Sequence, residues 1–517
     1  MALFFESLLL DLGILLLGLL TVCYVYLSRN YNFWAKKGVP FVKPSPIVGN
    51  FMDIVLLRKQ IGNFWKDIYL QHKDKPCVGV FAFDQPMLMV RDLNLVKSVL
   101  VKDFNIFMDR NAQTSEELDP LSYKNLFVLN GQRWRHLRAK LSPTFTSGKM
   151  KRMFQLVDEC GKQLVTYLEN KSENGELEVK DAMARYTTDV IATCAFGLDG
   201  DALSNENSVF RAMLKRVFQA NFIKNILVAL TFFAPSLLTV LKMRVIDEDI
   251  AQFMRKTIWS TVEYREKNNV VRNDFLDLLM QIRKKGHVDD DTENGSVDES
   301  SDKLVLDGDD FVAQSFIFLT AGFETSSTTM TFTLYELSLQ PDIQKKLRDE
   351  IQSVLKKNDG KVTYDGVQEM VYLDMVVSET LRKYPVLPFL DRKALQPYTL
   401  PGSTIRLDKG QAVIIPVMGI HYDPQYYPEP ERYDPERFSE ENKRLRPNYT
   451  YLPFGEGPRI CIGMRMGLMQ TKVGLVHLLS RFEVSPVKNT PIPMQLDRKS
   501  FTLTAKGGLH LGFKRIM

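Results

Sequence analysis

Cysteine is scarce in this chain: five among 517 residues, at Cys23, Cys77, Cys160, Cys194 and Cys461. None forms a CxxC pair and all lie far apart, which argues against a zinc site and against a disulfide framework. An odd count in so long a chain suits a reducing compartment for the catalytic part. No GxGxxG run opens a helix after a strand, so nothing supports an internal flavin or nicotinamide domain. Beyond the first fifty residues no Pro/Gly/Ser-rich linker divides the chain, and no repeat recurs at a solenoid or propeller period. One large unit is the simplest division. A strong excess of either charge is also missing: the net charge of +5 is mild and spread out, and gives no reason to invoke nucleic acid. With 45% hydrophobic and 25% charged residues, the chain buries a large core and is neither disordered nor fibrous.

What is present begins at the N-terminus. Leu12 to Leu27 carries no charge, and extension back to Leu8 admits only Asp11; at ~1.5 Å per residue this run makes roughly 30 Å of helix, enough to cross a bilayer. Glu6 rather than a basic segment precedes it, and no small-x-small cleavage site follows, so the run reads as an anchor and not as a cleaved signal. Arg29, Lys36 and Lys37 hold the following flank in the cytoplasm, leaving the short N-terminus in the lumen. Pro40, Pro44, Pro46 and Gly49 then make a stiff connection. The expected division is an anchor over 1–28, a basic and proline-rich hinge over 29–50 and a catalytic domain over 51–517.

Cys461 stands in the run Phe454-Gly455-Glu456-Gly457-Pro458-Arg459-Ile460-Cys461-Ile462-Gly463. By type alone an isolated cysteine is a small buried hydrophobe. Here Phe454, Gly455, Gly457, Arg459, Cys461 and Gly463 match the haem-binding signature of the cytochrome P-450 family, and the run resembles its ligand loop. Gly455 and Gly457 can take backbone angles closed to other residues, so the loop can turn beneath a flat macrocycle and aim N–H groups at the sulfur. Met466, Met469, Val473, Val476 and Leu479 recur at helical spacing from Ile462 onward, which puts Cys461 at or just before a helix N-terminus. The helix dipole and Arg459 are expected to favour the thiolate. Thiolate ligation favours O–O cleavage, whereas histidine suits oxygen binding and methionine electron transfer.

A second feature is the apolar stretch Phe311 to Leu339, with Asp309 and Asp310 read as its N-cap and Pro341 as its stop. Its middle, Ala321-Gly322-Phe323-Glu324-Thr325-Ser326-Ser327-Thr328-Thr329, breaks helix propensity, which often marks function. Phe318, Ala321, Gly322, Thr325 and Thr329 fall on one stripe, where small residues would leave room for oxygen beside a hydroxyl. A kink is expected there, because hydroxyls can bond backbone carbonyls. Glu379-Thr380-Leu381-Arg382 places Glu and Arg on one helix face, and Pro435-Glu436-Arg437-Phe438 follows. Trp134 and Arg138 are one helical turn apart, so an indole N–H and a guanidinium can reach one carboxylate.

These motifs follow each other in the order of the cytochrome P-450 family, and the resemblance covers nearly the whole chain. It implies a mainly α fold with small β-sheets and one large catalytic domain behind a transmembrane helix. It implies haem b with Cys461 as the iron ligand, and Phe454 in the cofactor loop. Trp134, Arg138, Arg459, Arg392 and more weakly Arg110 would bind propionates. Thr325 and Glu324 would relay protons beside Ala321 and Gly322, while Glu379, Arg382 and Arg437 would form a structural triad. Leu141 to Lys149 and Phe454 to Gly474 look most like microsomal insect family six, akin to the vertebrate drug-metabolising family three. Met466 departs from that pattern, where relatives commonly carry phenylalanine; its thioether can fill the same space.

The expected reaction inserts one oxygen atom from O2 into a lipophilic small molecule, with electrons from NADPH delivered by NADPH-cytochrome P-450 reductase and optionally cytochrome b5. The expected location is the endoplasmic reticulum membrane, with plant toxins or insecticides as substrates. Arg133, Lys140 and Arg465 are expected on a basic docking surface on the cysteine side. Phe107, Phe127, Phe318, Val386, Leu387 and Phe389, with Phe218 and Phe222, suggest an apolar pocket. Lys284 to Asp310 reads as an exposed polar loop and His421 as a satisfied structural histidine. The alternatives are a haem-thiolate isomerase that rearranges peroxides without external electrons and a non-catalytic haem binder. Neither needs the Glu324–Thr325 relay.

Overall fold

Helical periodicity dominates the computed structural model, which describes residues 8–171, 176–219, 222–272, 274–286 and 306–516. Among these described residues 57% are helical, and the strands form three small sheets. Most of the polar stretch from Lys284 to Asp310, and Glu6 before the anchor, lie outside the described residues.

The N-terminal run forms α1, Leu8–Ser28. Leu9, Leu17 and Val22 on it are all exposed, and the helix is long and apolar enough to cross a membrane. The segment after it is no free linker. Arg29 pairs with Asp84 at 2.9 Å, and the Tyr31 hydroxyl donates to the Ser45 carbonyl. Trp34 is fully buried and its indole N–H donates to Val80 O at 3.2 Å. Strand β1, Cys77–Ala82, is buried along its whole length, which is why it reads as a continuous apolar run.

The main sheet has the order β1, β2 (Gln85–Val90), β7 (Ala412–Ile415), β4 (Leu390–Lys393). Strand β4 runs antiparallel to β7 with Arg392 opposite Val413, which fixes the arginine at the sheet margin. A second sheet joins β3 (Glu176–Glu178), β9 (His510–Arg515) and β8 (Phe482–Pro486), and a two-stranded ribbon pairs β5 (Tyr398–Thr399) with β6 (Arg406–Leu407).

The helices that carry motifs are α2 (Gly131–Leu141), α3 (Ser147–Lys171), α4 (Val179–Phe196), α5 (Val209–Phe218), α6 (Phe222–Phe233), α7 (Gly308–Leu339), α8 (Val371–Lys383) and α9 (Met464–Leu479). Helices α3, α4, α7 and α9 enclose the largest core cluster, in which Val157, Val190, Met330 and Val473 are fully buried. Met466 is buried in the same cluster. Helix α7 runs unbroken for 32 residues, with no interruption at the Ser/Thr cluster. The aspartates expected to cap it lie instead in its first turn, with Asp307 at the N-cap position. There they face the positive end of the dipole, and pair with Arg255 and Lys124 at 2.7 and 2.8 Å.

Behind α9, Glu379 and Arg382 of α8 are completely buried and joined by two hydrogen bonds of 2.7 and 2.8 Å. Arg437 approaches the same carboxylate at 3.5 Å, and the Asp434 N–H donates to it at 2.9 Å. Burial pushes the Glu379 carboxyl up, opposed by the bonds from Arg382. Arg382 also donates to the His421 carbonyl at 3.0 Å.

His421 is itself fully buried. Its Nε2 accepts the Leu452 N–H at 2.9 Å, so the proton sits on Nδ1, which donates to the Arg382 carbonyl at 3.0 Å. The ring thus ties α8 to the segment leading into the cysteine loop. Burial, reinforced by the Arg382 charge, pulls its pKa down to about 3. An unfolded histidine takes up a proton near 6.5 and this one does not. Its contribution to stability is therefore complete above about pH 6.5 and lost as pH falls toward 3, up to an amount on the order of 5 kcal/mol. Unfolding free energy measured from pH 7 to 4.5 is expected to fall less steeply in His421→Asn than in the wild type. Equal slopes would remove His421 from the acid response.

Candidate haem site

The cysteine loop is closed by its own backbone: the Cys461 N–H donates to the Phe454 carbonyl at 2.9 Å. Gly455 and Gly457 both have φ of +74°. At Gly457 a side chain is impossible, because a Cβ there would lie 2.0 Å from the Leu100 carbonyl oxygen. Helix α9 starts at Met464 with Gly463 at its N-cap, three residues after the cysteine. The Gly463 N–H points at the sulfur.

The expected charge balance at the sulfur needs correction. Arg459 turns away, with Nε donating to Met108 O at 2.5 Å and Nη2 to Leu129 O at 2.8 Å. The charges that favour the thiolate are those of Arg138 and Arg110, and burial outweighs them, pushing the thiol up. Yet Cys461 is exposed. A sulfur that feels the burial of a core position and still has free surface opens onto interior space.

Helix α7 opens onto interior space in the same way. Between Leu319 and Met330 nearly every side chain is buried, but Ala321 is exposed and Thr325 half-buried. The Thr325 hydroxyl donates to the Ala321 carbonyl at 2.8 Å. The stripe expected to hold five residues splits here. A Cβ on Gly322 would meet Ile191 of α4 at 2.7 Å, so its smallness serves close packing of α4 on α7 and not room for oxygen. Phe318 stacks on Phe145 with centroids 5.3 Å apart and lies 4.2 Å from Phe275. Glu324 is buried and paired with Lys180 of α4 at 3.0 Å. Helix α9 is fastened to α7 beside these residues, with Gln470 Nε2 donating to the Gly322 carbonyl at 2.7 Å.

At the rim lies a cluster of buried cations. The Arg459 guanidinium lies 4.2 Å over the Trp134 ring. Arg110 pairs with Asp391 at 3.0 Å and lies 4.1 Å over the Phe127 ring. Arg392 donates to the Asp391 carbonyl at 2.8 Å, while its Nε and that of Arg110 have no hydrogen-bond partner among the described residues. Burial first, then repulsion from Arg110, pulls Arg392 down to about 9 and Arg459 to about 8. Burial also lowers Arg138. Of these guanidiniums only that of Arg110 pairs with the Asp391 carboxylate, while Arg392 and Arg459 end on backbone carbonyls, and a guanidinium holds its proton at neutral pH. This donor set lacks negative charge, and a flat ligand bearing two carboxylates would supply it. Haem b, with its two propionates, fits.

The aromatic candidates separate by position. Phe107 is fully buried, edge-on to Tyr398 at 4.9 Å. Phe389 is buried against Phe233 at 5.3 Å and Phe232 at 5.8 Å. Phe127 faces Phe232 of α6, and Phe218 lies edge-on to Phe323 at 5.5 Å. Val386 is buried and Leu387 half-buried, and the side chain of Phe222 is outside the described set. Of the docking candidates, Arg465 lies in the first turn of α9. Arg133 is exposed and meets Glu116 and Asp310 at 3.4 Å each. Lys180, Asp391 and Gln470 escaped the sequence reading; none sits in a motif, and each partner is remote in sequence.

Residues 39–511 match the family model described as Cytochrome P450. The chain is 48% identical over 510 residues to Cytochrome P450 6k1 of Blattella germanica, covering 97% of each chain. It is 49% identical over 494 residues to Cytochrome P450 6j1 of the same organism, covering 95% of each. Against Cytochrome P450 6a2 of Drosophila melanogaster the identity is 42% over 504 residues, 96% of this chain and 97% of the relative. The chain belongs to the cytochrome P450 family of haem-thiolate monooxygenases.

Proposed function

We propose that Cys461 holds the haem iron through its sulfur, and that the chain oxidises lipophilic xenobiotics such as plant toxins or insecticides at the endoplasmic reticulum membrane. What supports this reading most is that Cys461, in its closed glycine loop, keeps open surface, as do Ala321 and Thr325 on the otherwise buried middle of α7, with under-neutralised buried arginines in the same fold. Bound haem supplies activation of O2, so that one oxygen atom enters the substrate and the other leaves as water. The protein supplies the rest. Trp134, Arg138, Arg392, Arg459 and Arg110 would hold the propionates. Phe454 and the loop glycines fix the sulfur, and Glu379, Arg382 and Arg437 hold the scaffold behind it.

Thr325 bears the proton nearest the substrate space, and Glu324 is the acid behind it. Thr325→Ala is expected to keep consuming NADPH while product per NADPH falls at least about tenfold. Unchanged coupling would remove Thr325 from the relay. Electrons arrive from NADPH-cytochrome P-450 reductase, with cytochrome b5 as an accessory donor, on a surface that includes Lys140 and Arg465. Changing both to Glu is expected to slow reductase-supported turnover and leave peroxide-supported turnover intact. Equal losses in both would sink that surface. Purified protein with reductase, NADPH and a lipophilic probe should give an oxygenated product, and none without NADPH. A peroxide isomerase would work without it.

A further inference from the structure

Glu324 has little surface of its own. It is buried, and its carboxylate faces α4, where Lys180 Nζ lies 3.0 Å from Oε1. The same ammonium lies 2.8 Å from both Ser327 Oγ and Thr328 Oγ1 and 3.3 Å from the Glu324 carbonyl oxygen, so the lysine is held in one place. Of the pair, Lys180 is the more open, its side chain 19% exposed against 8% for Glu324. It opens into a pocket of about 250 Å³ lined by Glu178, Thr328, Thr331, Asp497, Thr504 and Gly508, among others. That space is roomy enough for several waters, and although Phe332, Leu503 and Ala505 also line it, its acids and hydroxyls could hold a short chain of them.

We propose that protons reach Glu324 from this pocket through Lys180. The inference rests on the reading of Glu324 as the acid of the relay. One Nζ–H bond of the ammonium breaks as an O–H bond forms on Glu324, leaving a neutral amine. A proton from pocket water then restores the ammonium, so the net change is one proton moved from solvent to Glu324. Lys180 acts through Glu324 and is a positioning residue, not a catalytic one. Burial lowers its pKa, which eases release of the proton. The charged groups around it are Glu324 from α7, Glu178 from β3, Arg211 from α5 and Asp497 from the segment before β9. Glu178 accepts the Lys180 and Leu509 N–H groups, Asp497 accepts the Lys499 N–H and Arg211 pairs with Asp181, so none replaces Glu324 as the partner of the ammonium.

The test uses the full-length, haem-loaded chain with reductase in lipid vesicles and a lipophilic probe substrate. Lys180→Ala is expected to lower product per NADPH about tenfold and to leave the reduced carbon monoxide difference spectrum unchanged. Added methylammonium, which carries a transferable proton, is expected to restore coupling, and tetramethylammonium, which carries only charge, is not. Lys180→Arg keeps the charge without an acid usable at neutral pH and is expected to stay uncoupled. Wild-type coupling in Lys180→Arg, or equal rescue by both cations, would overturn the proposal. If the Lys180 variants do not fold, Thr504→Trp fills the pocket without touching the ion pair and is expected to uncouple; normal coupling there would overturn it equally. Glu324→Gln separates the two readings. Its uncoupling beside normal Lys180 variants defeats only this inference, whereas its own normal coupling defeats the relay and with it the proposal.

Discussion

Glu379→Ala is expected to leave no stably folded protein. Arg382 has no exposed surface, and two of its N–H bonds end on the Glu379 carboxylate. Removing that partner strands a buried guanidinium, and breaking a buried pair in this way costs about 3–5 kcal/mol. A domain holds only about 5–15 kcal/mol in total. The loss spreads further, because Glu379 also accepts the Asp434 N–H and lies beside Arg437. The segment leading to the cysteine loop would therefore loosen with α8. Thermal unfolding and the yield of haem-loaded protein are the measurements. A midpoint within a few degrees of wild type would show the pair to be dispensable. Glu379→Gln keeps the shape and part of the hydrogen bonding, and should fall between the two.

Cys461→Ala is expected to do the opposite, abolishing function while sparing the fold. The sulfur is exposed, so its truncation leaves no packed cavity, and the stability cost should stay within about 1 kcal/mol. The loop stays closed by the bond from the residue's own N–H to Phe454. Oxygenated product should fall to the level seen without enzyme. Far-ultraviolet circular dichroism and the unfolding midpoint of the haem-free protein should stay near wild type. Retained product formation would mean that another group holds the cofactor.

The family was legible because its motifs are local. The cysteine loop spans ten residues, and the end of α7 at Leu339 is set by Pro341, two residues on. What escaped is mostly a matter of direction. Helical arithmetic puts Gly322 and Thr325 on one stripe, yet neighbouring helices decide which side of that stripe is filled, and Ile191 fills the side at Gly322. Phe107 and Phe389 have the right chemistry for a substrate pocket, but apolar side chains serve a core equally well and both are buried. Asp309 and Asp310 were readable as acids at a helix start, but not as partners of Arg255 and Lys124 from distant segments. Lys180 is the largest omission: its partner lies 144 positions away, and nothing local marks the lysine. The charge on Arg459 was visible, whereas its orientation depends on carbonyls at Met108 and Leu129 contributed by another loop.

The central claim is that Cys461 holds haem iron as a thiolate. The reduced carbon monoxide difference spectrum of the full-length chain tests it most directly. The expected result is the red-shifted Soret band that gives the family its name, lost in Cys461→His. A band at the position typical of histidine ligation in folded, haem-loaded wild type, or an unchanged band in Cys461→His, would contradict it.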